Sequence, residues 1–106
     1  MPKYLAEASF TDQGLQGTLK DGGTARRQAL EEAVASVGGR LESFYYCFGE
    51  KDSVVIVDLP NNATAAALAL TLGVSGAVRL KTTVLLTPEE IDEAVRVKGE
   101  YRAPGK

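Results

Sequence analysis

Five side chains in this sequence have the types and spacing to act together: Glu7, Tyr45, Asp58, Arg79 and Lys81. Arg79 and Lys81 stand two apart in the strand-like run AVRLKTTVLL, so they point the same way and could hold a substrate carboxylate. A tyrosine beside cations has a lowered pKa and can serve as an acid or base, which makes Tyr45 of interest. Asp58 and Glu7 could reach a hard cation through oxygen, but two ligands are too few, and no metal or cofactor is expected. A plainer reading fits the same residues: a partly solvated sheet face, or ion pairs across an interface. The plainer reading is preferred, because ion pairs perturb charged groups without any function.

Other candidates weaken on inspection. The chain has no histidine, which removes Ser-His-Asp and Cys-His catalysis and the usual zinc sites together. Cys47 therefore has no histidine to activate it and reads as a small apolar residue. The glycines of GLQGTLKDGGT (14–24) fit neither the P-loop nor the dinucleotide spacing, so a flexible connection is expected there. Arg26, Arg27, Glu31 and Glu32 read as a solvated helix face with i,i+4 pairing. Gly49-Glu50-Lys51-Asp52 lies between two strong β-formers. Gly49 suits a positive φ and Asp52 can bond turn amides, so the tetrapeptide reads as a hairpin turn.

Composition bounds the rest. The 106 residues, 44% hydrophobic and 25% charged, suit one globular domain, with 97–106 as a tail. A net charge of −2 supplies no basic field for nucleic acid or anionic lipid. No apolar run approaches the roughly 20 residues that span a bilayer. The single cysteine and the lack of a signal-peptide pattern point to the cytoplasm.

The elements that must position these residues can be read from periodicity. Strands are predicted over 3–10, 40–48, 53–59 and 77–86. One helix runs from about 25 to 37, capped by Thr24 and ended by Gly38-Gly39, with Leu30, Ala33, Val34 and Val37 as its apolar stripe. A second spans about 63–73 behind Asn61 and Asn62, with Ala65, Leu68, Ala69 and Leu72 on one side. Thr87-Pro88-Glu89-Glu90 is a full capping box opening a third, to about Val97. The order is β-α-β-β-α-β plus a C-terminal helix. The fold class is α+β, a ferredoxin-like antiparallel sheet with both main helices on one face.

Pairing Phe48 with Ser53, Tyr46 with Val55 and Phe44 with Val57 puts Phe44, Tyr46, Phe48, Val55, Val57 and Leu59 under the helices. Ser43, Tyr45, Cys47, Val54, Ile56 and Asp58 then share the open face. Val78, Leu80 and Val84 suit the helix side, leaving Arg79, Lys81, Thr83 and Leu85 opposite. Glu7 is assigned to the open face, since burying it unpaired would be costly.

Tyr4, Phe10-Thr11-Asp12-Gln13-Gly14, Gly38-Gly39-Arg40-Leu41, Ser43-Phe44-Tyr45-Tyr46, Gly49-x-x-Asp52 and Thr87-Pro88-Glu89-Glu90 together resemble the GYD-domain proteins. The resemblance covers residues 3 to about 96. It departs at Lys51, where the family signature has tyrosine, so that aromatic's role does not carry over. The resemblance implies a dimeric α/β barrel and relatives that include cofactor-free isomerases and monooxygenases. It names no established activity for the family itself.

A homodimer is expected on physical grounds too. Two helices cover one sheet face only, and Tyr45, Val54, Ile56 and Leu85 on the other face make a patch larger than monomers usually expose. Burying ~600 Å² of it contributes roughly 15 kcal/mol before association costs. A pocket on or beside that interface would take a small carboxylic acid or phenolic ligand. The alternative is a binding, regulatory or dimerisation module without turnover. Nucleic-acid recognition fails, because the basic-glycine-aromatic run of RNA-recognition motifs is absent.

Overall fold

The first strand of the chain lies inside the sheet. In the computed structural model, which describes residues 1–106, β1 (Lys3–Phe10) pairs antiparallel with β3 (Ser53–Asp58) on one side and with β4 (Val78–Leu85) on the other. β2 (Arg40–Tyr46) pairs with β3, giving the order β2-β3-β1-β4, antiparallel throughout. All four strands fall where the alternation of apolar and polar residues predicts them.

Four helices complete the α+β architecture: α1 (Asp12–Asp21), α2 (Gly23–Ser36), α3 (Asn62–Val74) and α4 (Pro88–Ala94). The core forms between the sheet and α2 and α3. Tyr4, Val55, Val57 and Leu59 meet Val34 from α2 and Ala65 and Leu68 from α3. Leu30, Ala33, Val37 and Leu72 pack around this cluster, as the predicted stripes require. Asn61 caps α3 by accepting the Thr64 N–H at 2.8 Å. Thr87 and Glu90 form the capping box of α4 reciprocally, at 3.1 and 3.0 Å. No helix is long and apolar enough to cross a membrane.

Three expectations are corrected. Residues 11–23 are not a flexible connection: Thr11 caps α1, and Gly22, at φ +82°, alone separates α1 from α2. Gly22, not Thr24, is therefore the N-cap of α2, and it makes no side-chain bond. α1 buries Gly14 rather than a leucine. Thr11 donates its N–H to the Ala77 carbonyl at 3.0 Å and its hydroxyl to the Gly76 carbonyl at 2.6 Å. The start of α1 is thus seated on the turn before β4.

The hairpin register also differs. Tyr46, not Phe48, pairs with Ser53, and a bulge between Leu41 and Ser43 shifts the ladder again. Phe48 consequently leaves the sheet and is 99% exposed, and Cys47 lies beyond the end of β2. Moving Ser53's partner from Phe48 to Tyr46 is a step of two, which preserves the face of every residue from Ser43 to Tyr46, while the bulge turns Leu41 to the core side with Val57. Phe44 and Tyr46 remain under the helices.

Candidate functional site

The register places all five candidate residues on the open face, but it brings only Glu7, Lys81 and Arg79 near one another. Tyr45 pairs with Val54, Val54 with Glu7, and Glu7 with Lys81, so these form one row across the sheet. With strands about 4.8 Å apart, Tyr45 and Lys81 stand roughly 14 Å from each other. Arg79 pairs with Ser9, while Asp58 pairs with Lys3 at the far end of β1. That separation is about 20 Å.

Asp58 has partners of its own. Its carboxylate receives Lys3 Nζ at 2.8 Å and an Arg40 guanidinium nitrogen at 2.9 Å, and Lys3 also reaches Glu42 at 2.8 Å. Asp58 is buried, and this ion-pair group satisfies it. The Lys3 hydrogen bond, then the Lys3 charge and Arg40, hold its carboxyl below the usual range against the opposing effect of burial. Lys3 is pushed up in turn, first by its bond to Asp58 and then by Glu42. Such a closed group suits structure better than turnover. Arg79 and Lys81 are exposed, and none of the ion pairs within the chain engages them.

The turn is also structural. Gly49 has φ +120°, as expected of a glycine there. The Asp52 carbonyl closes the turn by accepting the Cys47 N–H at 2.9 Å, while its carboxylate accepts the Phe10 N–H at 2.7 Å and its own N–H donates to the Ala8 carbonyl at 2.8 Å. Ser9 Oγ donates to the Glu50 carbonyl at 3.1 Å. The hairpin tip is strapped to β1 from both sides. The Cys47 thiol, half-buried, donates to the Lys51 carbonyl at 3.3 Å.

A cavity of about 160 Å³ opens on the other side of the sheet, between its helix face and the helices. Eighteen of its 23 lining residues are hydrophobic, so it is an apolar space. Val55 and Val57 form part of its floor, and Leu30, Leu68 and Leu72 part of its roof. One part of the lining is aromatic: Tyr46 lies edge-on to Phe44 at 4.9 Å and to Phe10 at 6.3 Å between ring centroids. Polar groups come from Thr18, Arg26, Tyr46, Ser53 and Thr82. The Tyr46 hydroxyl donates to the Gly23 carbonyl at 3.0 Å. Burial pushes its phenol pKa up, with Arg26 and Arg27 pulling the other way, so Tyr46 is protonated at neutral pH.

Sequence reasoning assigned Arg26 to a solvated surface and gave Tyr46 no role beyond packing. Arg27 fits that reading, pairing with Glu31 at 3.5 Å. Arg26 does not: it is half-buried, lines the cavity, and has only Asp21 near it, at 3.9 Å. A signal existed, because Arg26 stands four residues before Leu30 and eight before Val34, on the same stripe.

Over residues 4–95 the chain matches the family model of the GYD domain. The comparison with curated proteins gives no match.

Proposed function

The chain belongs to the GYD-domain family, and from that premise we propose that it is a homodimeric protein binding a small, largely apolar molecule between its sheet and its helices. The observation that carries this reading is the cavity. An apolar space of about 150 Å³ accepts a benzene-sized molecule, and this one, which is open on one side, measures about 160 Å³. Arg26 gives it a cationic end for a carboxylate oxygen, and the Tyr46 hydroxyl, whose proton goes to the Gly23 carbonyl, adds an acceptor for a phenol O–H. The ligand class is therefore a small aromatic acid or phenol.

Turnover without a cofactor, of the isomerase or monooxygenase kind, is the second reading. Tyr46 favours it, as a protonated acid in the cavity wall that would exchange its bond to the Gly23 carbonyl for one to the substrate. Binding leads, because the lining carries no carboxylate, thiol or imidazole that could act as a base.

The dimer is proposed through the open sheet face. The sheet order β2-β3-β1-β4 and the succession β-α-β-β-α-β support a ferredoxin-like arrangement, with α1 as an insertion. Two such sheets laid face to face would form the barrel the family resemblance implies. Only 11 of 106 residues are buried, a thin core for one chain. The chain exposes 7567 Å², roughly 1,900 Å² beyond the roughly 5,700 Å² expected of a compact monomer of this mass. That excess suits the per-subunit share of an obligate interface.

Two experiments test the reading. Calorimetric titration and thermal shift with benzoate and phenol should show binding that Ala69→Phe abolishes by filling the cavity. Arg26→Gln should weaken benzoate about tenfold and leave phenol nearly unchanged. No stabilisation by either compound at millimolar concentration would overturn the ligand class. Light scattering should give twice 11.2 kDa for the native chain, and monomer or aggregate for Ile56→Asp. A native mass near 11.2 kDa would overturn the dimer.

A further inference from the structure

The C-terminal segment after β4 is folded but buries none of its residues. Every residue from 86 to 102 is exposed, although α4 is a fully capped helix. Its apolar side chains face solvent with the rest: Ile91 is 47% exposed, Val95 69%, Val97 72% and Tyr101 83%. Ile91 and Val95 are four apart, which places them on one side of the helix. The molecule accordingly measures 58 × 32 × 22 Å, with a radius of gyration of 17.0 Å. A compact chain of this length would have about 13 Å.

Charge adds a second asymmetry. The sequence of α4, PEEIDEA, carries four carboxylates and no cation. None of the four is in an ion pair within the chain. Arg79 and Lys81, engaged in none of the chain's ion pairs, stand on edge strand β4 of the open face, Arg79 opposite Ser9 and Lys81 opposite Glu7, with apolar Leu5, Val54 and Ile56 further in. One chain thus carries both halves of a match: an arm with an apolar side and acidic flanks, and a sheet face with an apolar centre and a basic edge.

We infer that residues 86–106 form an exchange arm that lies along the β4 edge of a second copy's open sheet face, with Ile91 and Val95 at the rim of the contact between the two sheets and the α4 carboxylates against its Arg79 and Lys81. The inference rests on the dimer proposed above. Geometry allows it. A two-fold axis running across the strands reverses the partner's β4, so its Arg79 end lies beside the point where this arm departs. Four strands span only about 14 Å. The seven residues of α4 extend about 10 Å, and the chain beyond adds up to about 40 Å. Each copy gives and receives one arm, so the contact closes as a dimer and does not propagate.

The test is sedimentation equilibrium on three proteins: the full chain, a chain ending at Leu86, and Ile91→Asp/Val95→Asp. The full chain should be a dimer, and both variants should show a dissociation constant at least about tenfold higher. The point variant keeps the backbone intact should the shortened chain misfold. Arg79→Glu/Lys81→Glu should weaken the dimer as well, and adding Glu89→Lys/Asp92→Lys/Glu93→Lys to the same chain should recover it. Variants that dimerise as tightly as the full chain would overturn the arm while leaving the dimer standing. Charge reversal without recovery would overturn the docking face assigned here. A full chain that stays monomeric would remove the dimer and the arm together.

Discussion

The Asp52 carboxylate accepts the Phe10 backbone N–H at 2.7 Å, crossing from the β2–β3 hairpin to the last residue of β1. The bond continues the β1–β3 ladder past Ser53, where backbone pairing would otherwise stop. Asp52→Ala leaves that half-buried N–H without an acceptor, at a cost of about 1–3 kcal/mol. In a domain of this size the melting temperature should fall by about 4–8 °C per kcal/mol. Asp52→Asn keeps an acceptor and should lose less. Thermal denaturation of the two variants separates the bond from the charge.

Two glycines of α1 should respond to alanine with opposite signs. A Cβ at Gly14 runs into the Ala77 carbonyl, so Gly14→Ala must lift α1 off the turn before β4. A Cβ at Gly17 meets nothing within 4 Å. Gly17→Ala should therefore stabilise by up to about 1 kcal/mol, the ordinary helical gain. Urea denaturation of both single variants checks the contrast, and equal shifts would refute the seating of α1.

Gly49→Val should destabilise by about 1 kcal/mol or more, because a β-branched side chain resists φ +120°. The loss should come from the backbone alone, since a Cβ there meets no neighbour. Lys51→Tyr, which restores the family residue, should leave the melting temperature close to that of the native chain. The same thermal scans report both.

The ion-pair group at Asp58 should show itself at the pH extremes. Asp58 is lowered in the folded chain, so its stabilisation is complete above the unfolded carboxylate value of about 3.9 and is lost as pH falls through the folded value. Lys3 is raised, so its share is complete below about 10.4 and is lost as pH rises through the folded value. The difference in melting temperature between native and Asp58→Asn protein should be largest near neutrality. It should shrink as pH falls below about 3.9 and again as pH rises beyond about 10.4. A difference constant from pH 3 to pH 7 would show that Asp58 is not ionised by these partners.

The strands and their two faces were legible in the sequence because alternation carries them. Even with the hairpin partner misplaced from Tyr46 to Phe48, a step of two leaves each side chain from Ser43 to Tyr46 on its own face. The bulge at Leu41/Ser43 was not legible, since nothing in Arg40-Leu41-Glu42-Ser43 marks an extra residue. α1 escaped notice for a different reason. Helices are recognised by an apolar stripe, and α1 seats glycine, with Leu19 left 87% exposed. Thr11-Asp12 at its start and Lys20-Asp21-Gly22 at its end were the readable signs. The cavity was hidden because a void is a property of how layers fit. The side chains that line it, Phe44, Tyr46 and Leu30 among them, read as core residues.

The position of β1 sets the order of events during synthesis. Lys3 pairs with both Asp58 and Leu85, so the first strand made has no neighbour until the hairpin arrives and no second one until β4 is complete. At about 5–20 residues per second, the ribosome holds Tyr4 and Phe10 without a sheet for several seconds. The β2–β3 hairpin, whose contacts are local, can form during that wait. β1 then enters between β3 and β4 as the closing step, drawn in by pairings far apart along the chain. Destabilising substitutions in β1 should therefore slow refolding, whereas those in α4 should leave its rate alone.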